Sequence, residues 1–93
     1  MQKTILITGA TDGIGLETSK ALVGLGHKLL LHGRNPAKLE SVSKALSSLT
    51  AGADTENYVA DLSDMAEVEA LAKAVAEKHS KLDVLINNAG VYS

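Results

Sequence analysis

The chain has no cysteine, no phenylalanine and no tryptophan, and Pro36 is its single proline. Without cysteine there is no disulfide framework, no thiolate metal site and no cysteine nucleophile; this usage suits a reducing compartment, and a cytoplasmic location is expected. Two tyrosines are the only aromatics, so no set of stacking platforms exists for single-stranded bases. Charge of one sign is missing as well. Nine basic residues meet eleven acidic ones for a formal net charge of -2, with no block of either sign, which excludes nucleic acid as a partner. Long hydrophobic runs are absent: residues 1–3 lead into a short apolar segment that falls far below the length of a signal-peptide core or a membrane span, so neither is expected.

What is present is an ordinary globular composition, 45% hydrophobic and 22% charged over 93 residues. That length allows one domain at most, and it is small for an enzyme with a substrate pocket. Along the chain, short continuous apolar runs alternate with helical spacing. Thr4-Ile5-Leu6-Ile7 reads as a strand buried on both faces. From about Ile14 to Leu25 the residues Ala21, Leu22 and Leu25 predict a helical face, closed by Gly24 and Gly26. Lys28-Leu29-Leu30-Leu31-His32 predicts a second strand. Asn35-Pro36 starts a second helix, since Asn caps free amides and Pro in the first turn loses no bond; Leu39, Val42, Leu46 and Leu49 mark its buried side. Ala51-Gly52-Ala53-Asp54 reads as a turn and Asn57-Tyr58-Val59-Ala60 as a third strand. A third helix follows, with Ser63 as its expected cap and Met65, Val68, Leu71, Ala72 and Val75 on one face. Val84-Leu85-Ile86 predicts a fourth strand, and Asn87-Asn88-Ala89-Gly90 turns away from it.

Alternation of this kind predicts an α/β fold with a doubly wound parallel sheet, because right-handed crossovers place helices on both faces. The expected strand order is 3-2-1-4. Ligands bind such sheets outside the carboxyl ends of the strands, at the switch point between the first and fourth.

Thr8-Gly9-Ala10-Thr11-Asp12-Gly13-Ile14-Gly15 lies where the first strand meets the first helix. In that context Gly9 permits the sharp turn, Gly13 lets backbone approach a pyrophosphate, and Gly15 lets helix and strand pack closely. Free amides at the helix start face the anion. The spacing differs from the G-x-G-x-x-G of the general dinucleotide fold, and no Lys-Ser pair follows as in a triphosphate-binding loop. It resembles instead the T-G-x-x-x-G-x-G signature of the short-chain dehydrogenase/reductase family. Arg34 after the second strand, Asp61-Leu62 after the third and Asn87-Asn88-Ala89-Gly90 after the fourth match that family in the same order.

The resemblance implies a Rossmann-like cofactor domain and an oxidoreductase that moves hydride between a nicotinamide cofactor and a carbonyl or alcohol. It places cofactor contacts at Gly9, Thr11, Asp12, Gly13, Ile14 and Gly15 in the first loop, Arg34 and Asn35 in the second, Asp61 and Leu62 in the third, and Asn88, Ala89 and Gly90 in the last. Asp61 is expected at the adenine ring, with Asn87 as a structural brace and Asn88 nearer the cofactor. About 20 residues beyond the glycine motif, where an acid would hold the ribose of NAD, stand Gly33 and Arg34. A glycine leaves room and removes a repulsive carboxylate, and an arginine donates a forked pair of charge-assisted bonds to a 2′-phosphate. One such bond contributes roughly 1.5–3 kcal/mol. NADP is therefore expected rather than NAD. Asp12 is a departure, since many NADP-using members carry a basic residue there. His32 is near enough to touch a phosphate, the bland alternative being a partly exposed strand-end histidine. With His27 and His79 in a turn and at a helix end and no spaced carboxylate cluster, no metal site is expected. Lys73, Glu77, Lys78 and Lys81 read as a solvated face.

In the family a serine, a tyrosine and a lysine four residues after that tyrosine do the chemistry, all downstream of the N-N-A-G segment. Tyr58 has Leu62 four residues later and Tyr92 has only Ser93 after it, so no residue of this chain takes a catalytic role. The chain then reads as residues 1–93 of the N-terminal, cofactor-binding part of a single incomplete domain. An apolar fourth strand left as an edge predicts marginal stability and self-association, and the full-length form is expected to be a homo-oligomer. A non-catalytic nucleotide-binding or interaction module is the competing class. A methyltransferase with a similar sheet fits poorly, because no acid precedes the first motif glycine.

Overall fold

The aliphatic runs at residues 5–7 and 29–31 lie side by side at the middle of a sheet, where both faces of a strand are covered. The computed structural model describes residues 2–88. Its elements alternate as β1 (Thr4–Thr8), α1 (Gly13–Gly24), β2 (Lys28–Gly33), α2 (Pro36–Leu49), β3 (Asp54–Val59), α3 (Met65–Lys78) and β4 (Val84–Asn87). All three pairings are parallel and the order is β3-β2-β1-β4. This is the expected 3-2-1-4 sheet. Ile5, Ile7, Leu29 and Leu31 face α1 and α2, meeting Val23, Leu39, Val42 and Leu46. Leu6 and Leu30 point the other way, toward Leu71 and Val75 of α3.

Helix ends follow local chemistry. Asn35 caps α2 by accepting from the amides of Ala37 and Lys38, with Pro36 in the first turn. At the end of α1, Gly26 takes a positive φ of 86°, and the amides of Gly26 and His27 return to the carbonyls of Val23 and Leu22. Ser63 is not the cap of α3. Asp64 is, accepting from the Ala66 amide, while Ser63 donates from both its amide and its hydroxyl to Asp61 Oδ1. The nearer carboxylate two residues back captures Ser63 before it can turn to the helix.

Four other expectations need correction. The face of α1 toward the sheet is Gly15, Ser19 and Val23, with Leu22 half-buried and Ala21 and Leu25 exposed; close packing at Gly15 fixes the helix rotation, so the row four residues apart from it faces inward. Leu49, Met65 and Ala72 are exposed, the first two at helix ends that clear the sheet. β3 begins at Asp54, not Asn57, because its polar residues pair with β2 as an edge strand. Val84 and Leu85 of β4 are exposed, Leu85 at 56%, and only Ile86 joins the core.

On the open edge of the sheet, Glu56 of β3 collects three donors. Lys28 Nζ lies at 3.1 Å, the Tyr58 hydroxyl at 2.8 Å and His79 Nε2, at the end of α3, at 2.9 Å. Hydrogen bonding by His79 foremost lowers the Glu56 carboxyl to about 2 against the opposing effect of burial. Burial, followed by the bond to Glu56, raises the Tyr58 phenol to about 12. Lys28, held by Asp54, titrates above the ordinary lysine range. Among the described residues every buried side-chain polar atom has a partner.

Candidate dinucleotide site

The carboxyl ends of β1, β2, β3 and β4 open on one cleft of about 600 Å³, lined by Gly9, Thr11, Asp12, Gly13, Ile14, His32, Gly33, Arg34, Asp61, Leu62, Ser63 and Asn88. All four sequence motifs contribute to it. The first loop depends on glycine at the places its geometry demands. Gly9 and Gly13 take φ of 62° and 55°, the left-handed region that side chains disfavour. A methyl on Gly15 would overlap the Gly9 carbonyl oxygen and stand 2.8 Å from Asn88 Nδ2. At Gly13, by contrast, the position of a side chain is open space.

The first turn of α1 is also left uncapped. The Asp12 side chain makes no bond to the helix amides, whereas α2 and α3 are both capped by a side chain. Asp12 turns outward, receiving Lys38 Nζ at 3.2 Å and the Thr11 hydroxyl at 3.3 Å. Helix-start amides that no side chain caps, behind an open glycine position, can donate to an anion.

Beside the cleft is a depression of about 560 Å³ lined by Thr11, Asp12, Arg34, Asn35, Pro36 and Lys38. Arg34 is exposed there and enters none of the ion pairs among the described residues. Asn35 lines the same depression, but its side-chain oxygen is engaged in capping α2. Gly33 leaves less room than expected. A side chain there would meet the Thr11 methyl at 2.9 Å and Leu39 at 3.2 Å, so the glycine serves packing of the loop against α2. The Ile14 side chain is exposed at the rim.

At the far side, Asp61 Oδ1 accepts from Ser63, and these bonds, more than the field of Arg34, hold its carboxyl below the ordinary aspartate range. Leu62 is half-buried against the α3 face of the core. Across the cleft Thr8 Oγ1 donates to Asn87 Oδ1 at 3.1 Å and accepts from the Asn88 amide at 2.9 Å, while Asn88 Nδ2 donates to the Gly9 carbonyl. Both asparagines therefore brace the loop, and Asn88 also lines the cleft. Ala89 and Gly90 lie outside the described residues.

Lys38 is a residue of the site that the motifs do not single out, and the burial of His32 differs from the expected alternative. Lys38 lies in the first turn of α2, just past the Asn35-Pro36 start that follows Arg34, and that place is the available signal. His32 is 2% exposed, not a partly exposed strand-end residue. Its ring touches the amide of the first motif glycine.

A family model described as short chain dehydrogenase matches residues 3–93. The chain belongs to the short-chain dehydrogenase family. Among solved structures, a metagenomic short-chain oxidoreductase in complex with NADP is 36% identical with a TM-score of 0.86, over 96% of this chain and 39% of that one. The actinorhodin polyketide ketoreductase variant solved with NADPH is 36% identical with a TM-score of 0.84, over 96% and 33%. The mouse (Mus musculus) dehydrogenase/reductase SDR family member 7B is 38% identical over 89 residues, 94% of this chain and 28% of the relative. The chain thus spans well under half the length of these short-chain dehydrogenases. Among the described residues no group of acidic and histidine side chains could hold a metal ion, and no helix is long and apolar enough to cross a membrane.

Proposed function

We propose that this chain is the dinucleotide-binding part of an NADP-dependent short-chain oxidoreductase acting on a carbonyl or alcohol. The observation that carries the reading is the pairing of an α1 start that no side chain caps, behind open Gly13, with an Arg34 just past β2 that enters no ion pair among the described residues, where an NAD site would carry an acid. The cradle at α1 takes the pyrophosphate, Arg34 the 2′-phosphate, and Asp61 with the Leu62 amide the adenine. Gly9, Gly13 and Gly15 shape the cradle; Thr11, Asp12, Ile14 and Asn35 form its rim, and Asn88, with Ala89 and Gly90 beyond it, borders the nicotinamide side. When bound, the cofactor supplies the hydride. Residues 1–93 correspond to the N-terminal part of one such domain, which agrees with a chain covering 28% to 39% of the relatives above. Family resemblance extends the reading to a cytoplasmic homo-oligomer.

Asp12 would repel a 2′-phosphate if its charge stood alone. Its ion pair with Lys38 cancels that charge and brings a second cation to the depression beside Arg34. Fluorescence titration tests the assignment: Arg34→Ala should weaken NADPH binding about tenfold to a hundredfold while NADH binding changes little. Equal losses for the two cofactors would remove Arg34 from the 2′-phosphate site.

A further inference from the structure

We propose that His32 is the positioning residue of the first glycine loop, and that it makes the loop, and with it dinucleotide affinity, sensitive to acid. The inference rests on the dinucleotide reading above. Its geometry leaves one tautomer. The Gly9 amide can only donate, and it meets His32 Nδ1 at 3.1 Å, so Nδ1 carries no proton. The Ala60 carbonyl can only accept, and it meets Nε2 at 2.8 Å, so Nε2 carries the proton. The ring is buried, with both nitrogens satisfied by backbone of two different strand ends. It links the turn after β1 to the end of β3, across the strand between them.

Gly9 is the residue whose placement shapes the cradle. Its amide is held by His32, its carbonyl by Asn88 Nδ2, and that same carbonyl abuts Gly15 of α1. Adding a proton to Nδ1 sets two N–H groups against each other in a buried space, which neither can leave without moving the loop. The bond accepted at Nδ1 is made by the neutral ring alone, whereas the bond donated from Nε2 is open to either form. The charged and titratable groups around the ring are Asp12 from the loop, Arg34 from the end of β2, Tyr58 beside it on β3, and Asp61 and Glu67 from the turn and first turn leading into α3. None of these bonds to the imidazole.

Two variants separate the roles. His32→Asn puts a carboxamide oxygen in place of Nδ1 and does not titrate; His32→Leu fills the space without a polar atom. NADPH affinity is measured by fluorescence at steps between about pH 8 and about pH 5, and Gly9 amide exchange by NMR without cofactor. The 2′-phosphate itself titrates near pH 6, so the quantity read is the excess slope of the wild type over His32→Asn. The wild type should lose about tenfold more affinity than His32→Asn on acidification, with Gly9 exchange rising in parallel. His32→Leu should bind about tenfold more weakly throughout, with Gly9 unprotected at every pH. Matching pH slopes in wild type and His32→Asn, or full Gly9 protection in His32→Leu, would overturn the proposal. If the wild type binds no dinucleotide at any pH while Gly9 protection still follows His32, the loop-positioning role stands and the dinucleotide reading falls.

Discussion

A methyl group at Gly15 has nowhere to go, since the Gly9 carbonyl and Asn88 occupy its place. Gly15→Ala should therefore destabilise the fold by about 1–3 kcal/mol, read from urea melts, through overpacking of the helix against the loop. Gly13 is the contrast, with open space at its side-chain position but a positive φ. Single residues also set the charge at the rim of the site. Because Asp12 is tied to Lys38, Asp12→Asn should tighten NADPH binding several-fold at low salt and leave NADH unchanged, an effect that shrinks as salt is raised. Titrations at two ionic strengths check it. The placement of Gly9, Gly13, Arg34 and Asp61 around one cleft is legible in the sequence, because position at a strand end follows from the spacing of the apolar runs. His32 was misjudged for a physical reason: its importance lies in two backbone partners, Gly9 and Ala60, which are 23 and 28 residues away and invisible to any local pattern.

At the scale of elements, the sequence announced every strand and helix, because the central strands are continuous aliphatic runs and Asn35-Pro36 is a strong start signal. What it obscured was the edge. β3 is polar for its first four residues, and its cohesion comes from cross-strand and helix contacts to Glu56 rather than from an apolar face. The lowered Glu56 carboxyl gives a pH dependence with a definite sign. A carboxyl whose folded value is depressed adds stability that is fully present above about 4.5 and is lost as pH falls toward about 2. Melts across that window should lose roughly 2 kcal/mol from this group after solvent screening, and Glu56→Gln should flatten the slope there. The cap of α3 offers a second check. Asp64→Ala should cost about 1 kcal/mol, whereas Ser63→Ala should cost less, since Ser63 bonds Asp61 and not the helix.

For the whole molecule, the sheet of the described residues ends at β4, with Val84 and Leu85 exposed on its outer edge. Such an edge pairs readily with another strand. The 93-residue chain should sediment as dimers or larger species at micromolar concentration, and Leu85→Lys should shift it toward monomer without altering the cleft, which lies at the strand ends. A wild-type chain that sediments as a monomer would argue against this edge as an association surface.

The ties of Asn87 and Asn88 to Thr8 and Gly9 span 79 or 80 positions of chain. During synthesis the glycine turn leaves the ribosome 79 or 80 residues ahead of its brace. Loop closure over that distance is entropically slow compared with pairing of β1 with β2. The cradle is consequently finished late in folding, and until Asn88 has emerged a nascent chain displays the glycine motif without the grip that gives it shape.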